Sequence, residues 1–598
     1  MLTFPFFSRR LVMAAILLAN LLIHADALTT NELGSFHALK LIAQRGYLPG
    51  VPALVRVELR NAVGPERGLW SAEAILGADQ PGITLSTNRV LLRNGLGSVL
   101  VAFQGDGDFN LTATVGALRA SRSLESLAKA PVTTAAGLLN GAHTWNGVVI
   151  VTNDVTVAAG ASLVVLSNTL VLIEGVRNGT EASDLQIQGG IQVLGTEDHP
   201  VAFTCRSTNL SFRWGQIRHS AAQPSLYRYA SITRAGRAAP EGHTGTGPVL
   251  KAGNSAVRFE HCNLTDHAEG ILGEPGKIGQ ASGSDLVFVD CLFQRARMGP
   301  EIAGTALACT NTWIMDMMGP DDADGIYLRR QAAGQAITLS GCVIAQGDDD
   351  GIDTLDAIVT IEDSIIRDWN NPSEDSKGLS VFNGAVHLRH SLIVDCAAGI
   401  GAKWSSGSAT RVTVDHGTFA GNQTHACANQ KSNAPGPSID FRITNSVFWG
   451  GEPFHSDFAS TNFAVGFCTV ATAWPGMGNI NADPLFADPD ARDYRLRPGS
   501  PCIDAGDPAT PPDPDGSRTD MGWLAFMPPP PELGVIRNDS PELGIVLRAY
   551  PHRNYVVEFA TNLTGGWSVL KVIYPTNETN LILEAMTGES RFYRARWP

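Results

Sequence analysis

From residue 257 onward the chain repeats one phrase. An apolar alternation is followed by a polar residue, a small residue, two apolar residues and a polar turn. The copies are VRFEHCNL at Val257, LVFVDCLF at Leu286, LACTNTWI at Leu307, ITLSGCVI at Ile337, VTIEDSII at Val359, VHLRHSLI at Val386, VTVDHGTF at Val412 and FRITNSVF at Phe441. Successive starts lie 21 to 30 residues apart, a spacing typical of solenoids. One unit cannot bury its own apolar row, so copies must stack, and eight suffice for a continuous core. The pattern therefore predicts an all-β chain organised around a right-handed parallel β-helix, each copy being one coil.

The repeat sorts its residues into columns. Five positions after each start lie Cys262, Cys291, Thr312, Cys342, Ser364, Ser391, Gly417 and Ser446, small enough for a crowded interior. One position earlier lie His261, Asp290, Asn311, Gly341, Asp363, His390, His416 and Asn445, a mostly polar set expected at a bend. Side chains stacked at the strand spacing of about 4.8 Å contact their neighbours above and below. His390 and His416 are accordingly expected to be structural.

Outside the coils the period changes. Residues 28–128 alternate apolar and polar at a period of two between Gly, Pro and Asp turns, which predicts an immunoglobulin-like β-sandwich, here without cysteine. The solenoid is expected over 129–526, closed by the Pro- and Asp-rich stretch ending in DPDGSRTDMG. Residues 527–531 form a proline linker, and 532–598 read as a small C-terminal β-sandwich. Residues 1–27 have the form of a Sec-type signal peptide: Arg9 and Arg10, an apolar run from Leu11 to Ile23, and a cleavage site near Ala27. That run is short of the roughly 20 residues that span a bilayer. The expectation is a secreted or cell-surface monomer with no integral membrane span.

A net charge of −14 argues against nucleic acid as a partner. Nine cysteines in 598 residues are too few for a disulfide scaffold, and Cys262, Cys291 and Cys342 are expected inside as small apolar side chains.

The run DDADGIYL, GDDDGIDTLDA, SEDSKGLSVF and GIGAKW, with ADPLFADP and RLRPGSPCIDAGDP downstream, resembles the secreted β-helix proteins associated with CotH kinase and lamin-tail domains in exported bacterial proteins. The resemblance covers most of residues 28–525 and implies the pectate-lyase-like superfold. That superfold hosts lyases, hydrolases, epimerases and adhesins alike, so no single activity follows from it.

Chemistry is expected where charge accumulates. Aligning coils on Gly325, Gly351, Gly378 and Gly399 places Asp322, Asp348 and Asp375 in one column and Asp324, Asp350 and Lys377 in the next. Tyr327, Asp353 and Ser380 share a third column, and Arg329, Leu355, Phe382 and Lys403 a fourth. Stacked carboxylates must be protonated, paired with Lys or Arg, or bridged by a cation. Calcium suits Asp322, Asp324, Asp348, Asp350 and Asp375 as oxygen ligands. In a lyase, Lys377 or Lys403 would remove the proton beside a uronate carboxylate. In a hydrolase, Asp350 and Asp353 would divide acid and base roles. DADGI followed by GDDDGI resembles the polygalacturonase arrangement, but Ala323 stands where that family has Thr, and SKGLS replaces its Gly-His-Gly. Structural turns capped by Asp remain a third reading.

The functional expectation is a protein that binds or processes an extracellular polysaccharide or cell-surface component. Its rival is a non-catalytic matrix protein using the helix as a rigid spacer or adhesin. A sugar groove needs stacking rings, so Trp313, Tyr327, Trp369 and Trp404 should line one exposed strip.

Overall fold

The computed structural model describes residues 38–598 apart from 180–181, 268–275, 320–321, 374, 405–408, 431–438, 457–460, 529, 538–541, 552, 586–589 and 597–598. The expected signal peptide and its cleavage site near Ala27 lie outside the described residues. Among those described, no helix is long and apolar enough to cross a membrane.

The repeating region folds as a parallel β-helix. Its 36 strands run from Val132–Leu139 to Thr469–Val470, and most pair in parallel with the strand three places along, giving three strands per coil and three lengthwise sheets. Sheet A contains Ala256–Glu260, Asp285–Val289, Ala306–Thr310 and Ile358–Glu362. Sheet B contains Leu292–Ala296, Trp313–Met317 and Val343–Gly347. Sheet C contains Lys277–Ser282, Met298–Ala303, Ile326–Arg329, Asp350–Leu355, Lys377–Phe382 and Ala398–Trp404. A continuous apolar core fills the bore, with Val257, Phe288, Leu307, Ile352, Leu379, Ile400 and Val412 in successive coils.

The polar column is the corner between sheets A and B. His261, Asp290, Asn311, Asp363, His390, His416 and Asn445 all have φ between +43° and +55°. Asn, Asp and His tolerate that left-handed region better than most side chains, which explains the column's composition. The rings of His390 and His416 stack at 4.6 Å, and His416 Nε2 lies 2.8 Å from Thr519 Oγ1, as a structural pair would.

The small column turns inward and makes its own ladder. Ser364 Oγ accepts the Cys342 N–H at 3.1 Å, and Ser391 Oγ accepts the Ser364 N–H at 3.1 Å. Each hydroxyl donates to the carbonyl two residues back, so both serines are used as donor and acceptor. All nine cysteines are buried.

Residues 38–126 form an antiparallel sheet folded around its own core of Val55, Val57, Leu92, Phe103 and Leu111, with one short parallel pairing between Gly46–Tyr47 and Leu118–Ser126. This domain lies along the helix. Gln44 reaches the carbonyl of Asn168, Arg56 donates to Asn263 at 2.8 Å, and Arg367 donates to Asn94 at 2.8 Å. Sheet B is apolar on its outer face too. Trp313, Val343, Ile365 and Leu392 are covered by Trp70 and Leu96 of the sandwich and by Phe486, Tyr494, Met521 and Phe526 of the following segment. The Pro- and Asp-rich stretch thus runs back along the solenoid, because an exposed apolar sheet face needs a cover.

The C-terminal residues form two three-stranded antiparallel sheets around Ile545, Leu547, Tyr555 and Ile582. Arg553 ties them to the covering segment through Asp504 at 2.7 Å and Asp515 at 3.3 Å.

Candidate active site

The acidic ladder sits where strands enter sheet C, and a glycine column sets its spacing. A Cβ on Gly325 would fall 2.4 Å from the Gly351 carbonyl oxygen, and one on Gly351 would fall 2.5 Å from that of Gly378. Only glycine allows this backbone approach. The register is that read from the sequence: Asp350 pairs with Lys377, Tyr327 with Asp353 and Asp353 with Ser380, while Leu355, Phe382 and Lys403 follow Arg329.

Within this register the carboxylates part company. Asp324, Asp349 and Asp350 bring oxygens within 4.8 Å of one another, Asp324 and Asp350 buried and Asp349 half-exposed. The Asp324 Oδ1 accepts the Asp350 N–H at 3.2 Å. Asp348 turns away and accepts the Gly319 N–H at 3.0 Å. Asp322 lies 3.3 Å from the His243 ring nitrogen. Asp375 pairs with Lys377 at 2.8 Å and with Lys403 at 3.7 Å. The expected five-carboxylate ligand set therefore does not converge: Asp322, Asp348 and Asp375 each have other partners, and Asp349, overlooked in the sequence, takes their place. Its DDD run was the available signal. Asp353 remains half-exposed on the next outward position.

Burial and mutual repulsion separate the protonation states. Burial pushes the Asp350 carboxyl up to about 8 even though Lys377 opposes it. Burial, again opposed by Lys377, lifts Asp349 to about 6. Asp324 is raised well above the ordinary carboxylate range by burial, then by Asp353, Asp350 and Asp349. At Lys377 burial pulls downward, but Asp350 and Asp375 outweigh it and raise the ammonium's pKa. Lys377 is thus held as a cation, only 2% exposed and 3.5 Å from Asp350, an arrangement that argues against a general-base role.

A buried ion network, also missed from sequence, continues the charged face. Glu301 accepts from Lys277 at 2.7 Å, from Arg329 at 2.6 Å and from the His243 backbone N–H at 3.0 Å. These bonds hold the loop around Gly242 over sheet C, and the His243 ring lies 5.5 Å from Tyr327. Loop and sheet residues come from segments 58 positions apart, beyond the reach of a coil-by-coil alignment.

The four rings expected to line an exposed strip are all buried. Trp313, Tyr327, Trp369 and Trp404 are 2%, 4%, 0% and 1% exposed. Trp369 and Trp404 fill the bore, while Trp313 lies under the cover of sheet B. Gly347 leaves room for the Trp369 ring, since a Cβ there would meet it at 2.1 Å.

No family model matches this chain, and no curated protein matches it. Among solved structures the chain is similar to an alginate lyase from Paenibacillus sp. strain FPU-7, at 10% identity and a TM-score of 0.23, over 51% of this chain and 93% of that one. At that score the likeness bears no functional weight.

Proposed function

We propose that the protein acts outside the cytoplasm as a hydrolase of an extracellular polysaccharide, with its reaction centre at Asp324, Asp349 and Asp350. The observation that carries this reading is the trio itself: carboxyls from two successive coils, with oxygens within 4.8 Å and one held protonated near neutrality. Environments that drive neighbouring carboxyls apart in pKa divide acid from base. Asp350 donates its proton to the glycosidic oxygen. Asp349, the half-exposed member, accepts the proton of the attacking water, and Asp324 holds the Asp350 backbone in place. Lys377 remains the counter-cation, which favours hydrolysis over lysine-based elimination.

The non-catalytic matrix reading draws support from the buried aromatics. Incubation with acidic and neutral polysaccharides separates the two. The hydrolase is expected to release reducing ends without ultraviolet-absorbing unsaturated products, and Asp350→Asn to lower kcat by about 10²–10⁴-fold, the usual worth of a general acid. Unsaturated product would favour a lyase instead. Absence of new reducing ends across the panel would leave the matrix role.

A further inference from the structure

Between the sandwich and the corner of sheets A and B lies a chamber of about 420 Å³. That volume falls in the range of about 300–1,000 Å³ that holds small ligands, and domain interfaces are common places for such sites. It is separate from the acidic trio, none of whose members lines it.

Three features of its wall point to a ligand. The first is a platform: Tyr229 and His261, at φ +45° and +55° in adjacent coils, stack their rings at 4.4 Å and 11°. The second is a pair of idle donors. Arg56 Nε and Trp313 Nε1 are buried and make no hydrogen bond, and their residues are 6% and 2% exposed. A buried donor without an acceptor is costly, so an occupant bearing acceptors is favoured. The third is charge. Glu58 is matched by Arg56 at 2.7 Å and Arg60 at 2.6 Å, Glu197 by Lys40 at 2.8 Å, and Asp290 lies 3.5 Å from His261. The lining thus sets Lys40, Arg56, Arg60 and Arg67 against Glu58, Glu197 and Asp290, one positive charge in excess, and Arg67 donates to the Asp363 carbonyl at 2.8 Å.

We propose that this chamber binds a carboxylated sugar unit, with its ring against the Tyr229 and His261 platform, its oxygens accepting from Trp313 and Arg56, and its carboxylate facing Arg67. The site stands independently of the reaction assigned to the trio.

Calorimetric titration of the full chain with oligogalacturonate and oligoglucuronate, against neutral cello-oligosaccharides, tests the proposal. Acidic oligosaccharides are expected to bind at least roughly tenfold more tightly than neutral ones, a difference of about 1.4 kcal/mol. Tyr229→Asn, which keeps a residue suited to positive φ, and Arg67→Gln should each weaken acidic binding by roughly tenfold or more. Trp313→Phe should do the same by removing only the donor. If that buried variant melts early, the half-exposed Arg67 still decides the matter. Asp350→Asn should leave chamber binding unchanged, so a failed hydrolase reading and a failed chamber remain distinguishable. No binding of acidic oligosaccharides, equal binding of neutral ones, or indifference to both Tyr229→Asn and Arg67→Gln would overturn the proposal.

Discussion

Asp350 carries the pH response of the acidic trio. Its carboxyl is raised from 3.8 to about 8 by burial against the pull of Lys377, so the folded chain keeps a proton that the unfolded chain has released. A raised folded pKa gives stability that is complete below the unfolded value and is lost as pH climbs through the folded one. Asp349, lifted to about 6, adds a loss of the same sign in the lower part of that window. The melting temperature should therefore fall between about pH 4 and 8, and Asp350→Asn should flatten the fall and melt a few degrees higher near pH 8.5. Scanning calorimetry across that range checks it, and identical slopes in both proteins would show that Asp350 holds no extra proton in the fold. Calcium is the competing occupant of these oxygens. With the Lys377 ammonium 3.5 Å from Asp350, a divalent ion meets a cation already in place. We propose that chelator leaves the melting curve unchanged. A calcium-dependent rise abolished by Asp324→Asn would put the metal in place of the proton.

At the scale of the strand and turn, the glycine column sets how closely coils stack. Gly351→Ala would drive a Cβ to 2.5 Å from the Gly378 backbone oxygen, and backbone cannot step aside as a flexible side chain does. The expected cost is about 1–3 kcal/mol, the range for overpacking, read as a lower denaturation midpoint. Gly334→Asn is the control: it has positive φ but open space, and should change little. The same column made the fold and register legible in sequence, because each Gly-Ile or Gly-Leu marks the same point of a coil. His261 and Asn311 were equally legible, since one backbone conformation recurs at every corner. What escaped were contacts between turns. Asp349 and Asp348 are neighbours in sequence, yet one joins the trio and the other caps Gly319, a choice made by local backbone direction. Trp369 is one of the rings expected on an exposed strip, but Gly325, Gly347 and Gly351 let its ring enter the bore.

The whole molecule is a helix with its sandwich fastened along one side, which bears on the spacer reading. A spacer separates its end domains, whereas here contacts with the sandwich run from Asn168 to Arg367. Trp70 is the centre of that seam. Its ring lies 4.7 Å from the Arg367 guanidinium and 5.7 Å from that of Arg492, and meets Tyr494 edge-on at 6.1 Å. Sandwich, helix and covering segment thus share one buried cluster, so they should unfold together. Trp70→Ala removes the residue common to all three, at about 3–5 kcal/mol for a buried Trp. Each domain retains its own core, of which Val57 and Phe103 in the sandwich and Ile352 in the helix are parts, so the loss falls on their coupling. Calorimetry should resolve one transition in the native chain and two in the variant, the earlier being the released sandwich. The chamber should lose its ligand with that release, since Arg56 and Arg67 leave with the sandwich while Tyr229 and Trp313 stay on the helix. Hydrolysis at sheet C should persist in the variant, because the trio and Lys377 belong wholly to the coils. A single transition in Trp70→Ala at unchanged temperature would mean that the seam contributes nothing to cooperativity.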